Sequence, residues 1–445
     1  MASRQFDPPS GTRDFLAGDL RVRDHVFSVV RDTFERFGFE PLATPAFERL
    51  ETLTGKYGDE GDKLIFKILR RGEHEARGEA DLALRYDMTV PLARVVAAYG
   101  SQLPAPYKRY AMGPVWRADR PGRGRFREFA QCDVDVVGSS SPLADAEVIG
   151  AAAAALDALG VTAFRVLVNS RRALTGLLQA YGVPSALGGG ALITLDKLDK
   201  LDPDEVVREL AGQRSLDPGT AKSLVGDLTA DDATDRMRQA LKDNEEGRAG
   251  LAEIDRLLEL AGPAVRPERL VFAPRMVRGL DYYTGVIFEV DADGVPGSIA
   301  SGGRYDHLIA ALGGPDRPAV GASLGIERII ALVGTGEEGP RRLDAAVTVM
   351  DTESEPALMD FAVRLRRAGL TAEVYLGTSG KLAKQLKWAS DRHARYALIY
   401  GQQEKAAGQV TVRDMDSGEQ SQVPAAGLAA ELARMLAGGS EPHGA

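Results

Sequence analysis

The chain has 445 residues, 44% hydrophobic and 27% charged, a composition typical of a globular protein with two or three domains. Its single cysteine, Cys132, excludes an internal disulfide, and no apolar run approaches the ~20 residues that span a bilayer. The net charge of −9 argues against a generally basic surface that coats nucleic acid. Because the N-terminus also lacks the apolar region of a signal peptide, we expect a cytoplasmic protein.

The first elements predicted along the chain are helices and short strands. Residues 20–37 carry apolar side chains at helical spacing, and Gly38 follows as a suitable C-cap. Residues 39–53 predict a short strand, interrupted by Pro45, that continues as a helix. The run "LALRYDMTVPLARVVAAYG" predicts a strand, a polar turn and a helix, which places Asp87, Met88 and Thr89 at a strand-to-helix turn.

A hairpin with a basic tip is predicted next. The runs "YKRYAMGPVWRAD" and "FREFAQCDVDVVG" read as strands around the tip "RPGRGR". Residues 108–127 hold seven Lys or Arg residues against Asp119 alone, which indicates either a binding patch or a solvated loop. Strand alternation puts Gln131, Asp133 and Asp135 on one face, as expected for a lined cavity or, alternatively, a solvated edge.

The arginines of this hairpin suit a nucleotide. A guanidinium is a planar, permanently charged fork that binds phosphate oxygens through two parallel hydrogen bonds. Arg117 at a strand end, with Arg125 and Arg127 across the tip, could bind a triphosphate, and Phe129 could stack on a planar base. Neither G-x-x-x-x-G-K-[ST] nor G-x-G-x-x-G after a strand occurs, so side chains rather than a helix N-terminus must hold any nucleotide.

The second half of the chain begins with helices. Residues 145–160 predict a helix that Gly160 ends, and the charged sequence from about 164 to 267 predicts a helical module without strands. Strand character returns near 270, and the buried strand predicted over 286–290 follows closely on Arg278, Tyr282 and Tyr283.

Two further stretches suit a ligand, and a separate domain follows them. The glycines of "SGGRYD" allow a close backbone approach or simply form a tight turn, and "GASLGIERII" puts Arg328 near the start of an apolar helix. After a linker at 334–343, strands alternate with helices, which predicts a small, mostly parallel sheet.

These stretches together resemble the histidyl-tRNA synthetases, a family of class II aminoacyl-tRNA synthetases. The runs "GFEPLATPAFERL", "YKRYAMGPVWRADRPGRGRFREFAQCDVDVVG" and "GASLGIERII" are similar to the three class II motifs. The runs "VRGLDYYTG" and "SGGRYD" resemble stretches peculiar to the histidyl enzyme and its relatives. The sequence "LRYDMTVPLAR" is similar to the corresponding sequence in the archaeal/eukaryotic-type branch of the family. The resemblance covers nearly the whole chain.

The resemblance implies an α/β multidomain fold. It places an antiparallel-sheet class II catalytic domain at 1–165 and 266–334, with a helical insertion at 166–265. An α/β anticodon-binding domain is expected at 343–436, followed by a disordered tail at 437–445. Residues of the first class II motif imply a homodimer by analogy.

The resemblance also implies roles for individual residues. Asp87, Met88, Thr89 and Gln131 are expected around the α-amino group of histidine, and Asp135, Tyr282 and Tyr283 around its imidazole. Arg117 is expected at the histidine carboxylate and the α-phosphate of ATP. The remaining ATP contacts are expected from Asp119, Arg125, Phe129 and Arg328. Arg278 is expected at the α-phosphate, where the family uses an arginine in place of a catalytic metal ion, so no metal ligand is expected among the side chains.

The implied function is the ATP-dependent ligation of L-histidine to tRNA(His), with Mg²⁺ bound to ATP. One alternative is a non-catalytic paralogue such as the regulatory subunit of ATP phosphoribosyltransferase, which generally lacks the anticodon module. Another is an RNA or amino-acid sensor on the same fold, and a third is a threonyl-, prolyl- or glycyl-type synthetase. Arg278 and the extra domain at 344–430 argue against the first alternative, and Arg117, Arg278 and Arg328 argue against the second. The run "RGLDYYTG" argues against the third.

Overall fold

The computed structural model describes residues 6–122, 124–278, 282–334 and 342–438, without the side chains of residues 59, 60 and 438. The chain divides into two compact units, Met1–Gly336 and Glu337–Ala445. Within the described residues, no helix is both long enough and apolar enough to cross a membrane.

The first unit is built on an antiparallel sheet that contains both strands of the predicted hairpin. Its described strands are β1 (Glu40–Pro41), β2 (Phe47–Arg49), β3 (Lys67–Leu69), β4 (Ala80–Leu84), β5 (Tyr107–Trp116), β6 (Glu128–Val137), β7 (Phe164–Ser170), β8 (Leu270–Phe272), β9 (Val286–Ala292), β10 (Ala300–Arg304) and β11 (Ala319–Gly325). The large sheet has the order β1-β5-β6-β11-β10-β9-β7-β8, and only its outermost pairs, β1–β5 and β7–β8, are parallel among the described strands. Strands β2, β4 and β3 form a separate small sheet.

Helices cover one face of the large sheet and extend beyond it. They are α1 (Ala17–Arg36), α2 (Leu50–Leu53), α3 (Gly58–Asp62), α4 (Thr89–Tyr99), α5 (Pro142–Ala158), α6 (Arg171–Ala180), α7 (Ser185–Leu195), α8 (Pro203–Gln213), α9 (Pro218–Thr229), α10 (Ala233–Leu241), α11 (Glu245–Val265) and α12 (Ile326–Val333). The hydroxyl of Ser141 accepts a hydrogen bond from the Leu143 amide (3.2 Å) and caps α5, and Pro142 occupies the first turn. Gly160, with φ of +77°, follows the end of this helix.

Strand β6 lies near the centre of the sheet, which explains its mixed sequence. Cys132, Val134 and Val136 on one face belong to the same buried core as the apolar residues of α1 and α5. The residues on the other face, Gln131, Asp133 and Asp135, are polar, yet they are buried as well. A central strand whose polar side chains are buried on one face indicates a site rather than a solvated edge.

The helical segment begins later than the sequence suggests. Residues 166–170, expected to be helical, belong to β7, which pairs antiparallel with β9 and parallel with β8. Val166 and Val168 are fully buried there. The pairing is non-local and follows an alanine-rich helix, so local periodicity does not reveal it. The helices run from Arg171, and the last of them, α11, packs against α5 and α6.

The second unit holds a mixed sheet. Its strands are β12 (Leu343–Val347), β13 (Ala372–Val374), β14 (Ala394–Ile399), β15 (Gln409–Asp414) and β16 (Gln420–Pro424), and its helices are α13 (Glu355–Arg367), α14 (Leu382–Asp391), α15 (Gln402–Ala407) and α16 (Leu428–Gly438). Strand β12 pairs parallel with β13 and β14, whereas β15 pairs antiparallel with β14 and β16.

The second unit differs from the sequence-based expectations in the direction of its strands and in the extent of its last helix. The sheet is not mostly parallel, because the turn after Asp414 folds β15 and β16 into a hairpin. Helix α16 runs to Gly438, so the first residues of the expected tail are helical, and 439–445 lie outside the described residues. Most of the predicted linker, 335–341, also lies outside them.

Candidate active site

The polar face of β6 forms what we call the acidic floor, which consists of Gln131, Asp133 and Asp135. Its neighbours in register on β5 are Gly113, Ala111 and Arg109, and those on β11 are Gly325, Ser323 and Gly321. Five of these six neighbours are small, so the floor side chains have space on both sides. A Cβ atom added at Gly321 would clash with the carboxylate of Asp135, so this strand position requires glycine.

Asp135 lies beside a cation and a hydroxyl, although among the described residues its Oδ2 atom finds no hydrogen-bond partner. The Arg109 guanidinium lies 2.8 Å from Oδ2, and the Tyr305 hydroxyl donates a hydrogen bond to Oδ1. Burial raises the pKa of Asp135, while Arg109 and the Tyr305 hydrogen bond act to lower it. Burial also raises the pKa of Tyr305 well above its ordinary value, so this phenol remains a donor.

The other two floor residues also carry unused hydrogen-bonding capacity. Among the described residues, Oε1 of Gln131 and Oδ1 of Asp133 are buried and find no hydrogen-bond partner. Burial raises the pKa of Asp133 to about 7, Arg109 acts to lower it and Asp135 to raise it further. Buried polar atoms without partners are costly, and a ligand with donor groups would satisfy them.

The turn before α4 forms one edge of the floor, as the sequence predicts. Oδ1 of Asp87 accepts hydrogen bonds from the amides of Thr89 (3.1 Å) and Val90 (3.0 Å) and from the Tyr57 hydroxyl (3.1 Å). Burial raises the pKa of Asp87, and these hydrogen bonds act to lower it. The Met88 carbonyl accepts a hydrogen bond from Arg109 (3.1 Å), which ties this turn to the floor.

Tyr282 and Tyr283 line the same cleft. Their rings meet edge to face with centres 5.0 Å apart, and the ring centre of Tyr282 lies 6.1 Å from that of Tyr305. Burial raises the pKa of Tyr283 to about 12, and the carboxylates of Asp87 and Asp135 act in the same direction. A Cβ atom at Gly303 would come within 2.8 Å of the Tyr283 ring, so the glycines of "SGGRYD" leave room for it.

Arg117 lies across the aromatic side chains beside the floor. Its Nε donates to the Tyr86 carbonyl (3.2 Å), and its guanidinium lies 4.3 Å from the Tyr86 ring centre and 5.1 Å from that of Phe129. Phe129, predicted to stack on adenine, therefore faces this cation. Such a contact holds a guanidinium in place while its other donors remain available.

We call Arg117, Arg125, Arg278 and Arg328 the arginine side of the cleft. Arg125 bonds to Asp119 (2.8 Å), and Arg328 donates to the Ser298 carbonyl. Burial lowers the pKa of Arg328, Glu289 acts to raise it, and Arg125 and Arg278 act to lower it. The two arginines that act on Arg328 lie close enough to it to lower its pKa, and a cluster of cations of this kind attracts an anion.

Arg278 is held by two side chains that the sequence analysis did not assign to the site. It forms an ion pair with Glu289 of β9, and its Nη2 donates to the Ser301 hydroxyl (3.1 Å). Residues 279–281 next to it lie outside the described residues. The one acid in the otherwise apolar run "VIFEV" is the signal that could have identified Glu289.

Two other side chains were also missed. Arg109 was counted only within the basic patch, although it lies as many residues before Gly122 of the hairpin tip as Asp135 lies after it. Tyr305 follows the glycines of "SGGRYD", yet it, and not Tyr282, donates to Asp135. Tyr282 instead contacts the ring of Tyr305, and its predicted part in binding the imidazole stays a prediction.

Within the described part of the chain, no group of three or more His, Cys, Asp or Glu side chains is arranged to hold a metal ion. The charged groups of the cleft are therefore a set of buried acids on the acidic floor and a set of cations on the arginine side. The first suits a small ligand with hydrogen-bond donors, and the second suits phosphate.

Comparison with known proteins agrees with this geometry. The family model "Histidyl-tRNA synthetase" matches residues 11–329, and the model "Anticodon binding domain" matches residues 344–435. A histidine–tRNA ligase of Gloeobacter violaceus is 40% identical over 450 residues, which is 94% of this chain and 96% of the relative. One of Paracoccus denitrificans is 37% identical and covers 97% of each chain. The crystal structure of histidyl-tRNA synthetase from Nostoc sp. has 30% identity, a TM-score of 0.75 and coverage of 97% and 100%.

The antiparallel sheet, the cleft and the separate anticodon-binding unit define an aminoacyl-tRNA synthetase. The chain belongs to the histidyl-tRNA synthetase family. Its activity is the ligation of histidine to tRNA.

Proposed function

We propose that the cleft joins L-histidine to tRNA(His) through a histidyl-adenylate, with release of diphosphate and then AMP. The observation that carries this proposal is that the acidic floor and the arginine side belong to one compact unit and interact through shared groups. Tyr283, for example, interacts electrostatically with Asp87, Asp135 and Arg278. An amino acid on the floor therefore lies beside a phosphate on the arginine side.

Histidine is bound on the floor. Asp87, Thr89 and Gln131 receive its α-ammonium group, which supplies the donors that Oε1 of Gln131 lacks, and Met88 shapes the same edge. Asp135 binds a ring N–H of the imidazole, with Tyr282 and Tyr283 closing the pocket. A buried acid aligned on a ring nitrogen rejects amino acids that leave it unpaired.

ATP is bound on the arginine side. Arg117 contacts the α-phosphate, Asp119 and Arg125 place the nucleotide, and Arg328 binds the γ-phosphate end. Phe129 stacks on adenine with the ring face that Arg117 leaves free. Mg²⁺ accompanies ATP on its phosphates.

Arg278 is the main catalytic residue of the adenylation step. The histidine carboxylate is already ionised near pH 7, so it attacks the α-phosphorus without a general base. Negative charge that grows on the phosphoryl oxygens is stabilised by the Arg278 and Arg117 guanidinium groups, and diphosphate leaves. The Glu289 carboxylate and the Ser301 hydroxyl hold the Arg278 fork in place before the reaction.

Transfer to tRNA involves both units. We assign the catalytic domain to 1–170 and 266–334, since β7 belongs to its sheet, the helical insertion to 171–265 and the anticodon-binding domain to 343–436. The basic hairpin tip lies near the acceptor end and the insertion over the stem, so tRNA binding weakens as salt rises. We place the enzyme in the cytoplasm as a homodimer.

The alternative of a non-catalytic paralogue is not favoured. Relatives named as ligases match over nearly the full chain, the anticodon-binding domain included. The arginine side is also complete, since Arg117, Arg125, Arg278 and Arg328 are all present.

Amino-acid-dependent exchange of labelled diphosphate into ATP tests the proposal across all amino acids at once. We expect exchange with histidine alone, followed by charging of tRNA(His) but not of other tRNAs. Exchange with threonine, proline or glycine in place of histidine would contradict the assignment of the floor. The absence of exchange with every amino acid would favour a binding module.

A further inference from the structure

Arg109 is a buried cation that the proposed reaction does not use. It lies within β5, its side chain is fully buried, and it is directly opposite Asp135 of β6 in the antiparallel register. Its Nη2 bonds to the Met88 carbonyl (3.1 Å) and lies 2.8 Å from Oδ2 of Asp135. Among the described residues, its Nε and Nη1 find no hydrogen-bond partner.

These contacts join two parts of the amino-acid site. Met88 lies between Asp87 and Thr89 at the α-amino edge, whereas Asp135 lies at the ring end of the floor. One guanidinium therefore holds both, and Tyr305 holds the other oxygen of Asp135. Gly321 leaves room for the carboxylate beside β11, where a Cβ atom would clash with it.

We propose that Arg109 is a positioning residue of the amino-acid site, which acts through Asp135 to keep this carboxylate ionised and aligned on a ligand ring that donates a hydrogen bond. This inference rests on the proposed function, because it takes Asp135 as the group that binds the imidazole. Arg109 does not touch the reacting atoms. It sets the affinity and selectivity for histidine and leaves ATP binding unchanged.

The direction of the pH effect follows from the surroundings of Asp135. The charged or titratable groups around it are Arg109 and Tyr107 of β5, Asp133 of its own strand, Asp87 before α4, Tyr283 before β9 and Tyr305 after β10. Arg109 is the only cation in this set of described groups. Its removal leaves burial and the neighbouring acids to raise the pKa of Asp135 further, so the protonated form becomes populated as the pH falls.

The first test compares Arg109→Gln with the wild-type enzyme in histidine-dependent diphosphate exchange. We expect the KM for histidine to rise by about tenfold near pH 6, because hydrogen bonds to charged groups have effects of this order. The rise should be smaller near pH 8, and the KM for ATP should stay within about twofold. Arg109→Lys keeps the charge and should give an intermediate KM. The Arg109→Gln variant should also discriminate less against histidine methylated on a ring nitrogen.

Arg269→Gln is the matched control for the loss of a buried arginine. Arg269 is buried, pairs with the Asp157 carboxylate (2.9 Å) and donates to a backbone carbonyl, that of Thr162 (2.9 Å), but none of these residues belongs to the cleft. We expect this change to lower the melting temperature without a pH-dependent change in the KM for histidine. The same pattern in both variants would reduce Arg109 to a structural role and overturn the inference.

A double-mutant cycle with Asp135→Asn separates the remaining outcomes. If Arg109 acts through Asp135, adding Arg109→Gln to Asp135→Asn produces little further change in the KM for histidine. The double variant can also be measured if Arg109→Gln alone does not fold, because it removes the Asp135 carboxylate that Arg109→Gln leaves buried without its cationic partner. A further tenfold rise in the double variant would overturn the inference. An unchanged KM in Asp135→Asn itself would instead contradict the proposed role of Asp135.

Discussion

The acidic floor and the arginine side of the cleft hold their charged groups in different ways. On the floor, Asp135 is 1% exposed, and two side chains from neighbouring parts of the sheet fix its two oxygens. On the arginine side, the Arg125 side chain is 62% exposed and bonds to a single carboxylate, that of Asp119. The floor is thus preorganised, whereas the exposed arginine has an ion pair that phosphate can displace at little cost.

The comparison explains how one cleft handles two substrates. A small amino acid must be distinguished from similar molecules, which requires buried groups that cannot relax around the wrong ligand. A triphosphate offers many negative oxygens, so several adaptable cations suffice to bind it. Arg278 is intermediate, because it is partly buried and paired with Glu289 yet belongs to the arginine side.

The largest effect should come from Arg278→Ala. We expect histidine-dependent diphosphate exchange to fall by roughly 10²–10³-fold, because removing one preorganised transition-state contact typically has this effect. Arg275→Ala is the matched control, since Arg275 is exposed and lies 3.7 Å from Asp199 in a weak ion pair. Full exchange by Arg278→Ala would contradict its catalytic role.

Asp135→Ala tests the selectivity of the floor. We expect the KM for histidine to rise by on the order of 10²-fold, while the KM for ATP changes far less, because a site built around a hydrogen bond depends on it strongly. Steady-state exchange at varied histidine and varied ATP gives both constants. Comparable changes in the two would mean that Asp135 supports the whole cleft rather than the amino acid.

Arg125→Ala tests the arginine side in the opposite direction. The exposed side chain should contribute to ATP more than to histidine, so we expect the KM for ATP to rise by about tenfold and the KM for histidine to change little. The difference between variant and wild type should shrink at high salt, which screens exposed charges. A rise confined to the histidine KM would contradict the division of the cleft.

The smallest effect concerns Asp133, whose pKa is raised to about 7 by burial. Below that pH the residue is mostly neutral, and above it a negative charge appears on the same strand face as Gln131, which we propose receives the α-ammonium group, so the charge favours histidine binding. We therefore expect the ratio of the histidine KM of Asp133→Asn to that of the wild type to increase by about two- to fivefold between pH 6 and pH 8. A ratio that is flat across this range would place the titration of Asp133 elsewhere.

Much of the cleft follows from local sequence patterns. The strand, turn and helix around Asp87 and the strands flanking the hairpin tip lie where periodicity predicts them. The alternation in β6 identifies the three polar floor residues because a strand repeats every two residues. The resemblance to the family supplied the expected roles, which geometry alone would not have assigned.

Other features depend on contacts between distant parts of the chain. Strand β7 was not expected because its partners β8 and β9 are about a hundred residues away in sequence. Tyr305 and Glu289 belong to the cleft only because β10 and β9 lie beside the central strands. The antiparallel turn that makes the C-terminal sheet mixed was likewise hidden in a run of polar residues.

The sequence by itself determined which residue types are available: an acidic strand face, an arginine-rich hairpin and a cation beside two tyrosines. These are local patterns, fixed by strand and helix periodicity. Only the tertiary structure decided which partner each charged group has, as with Arg109 on Asp135 and Glu289 on Arg278. The reason is that register across a sheet sets these pairs, and a burial free energy summed over the whole core fixes that register.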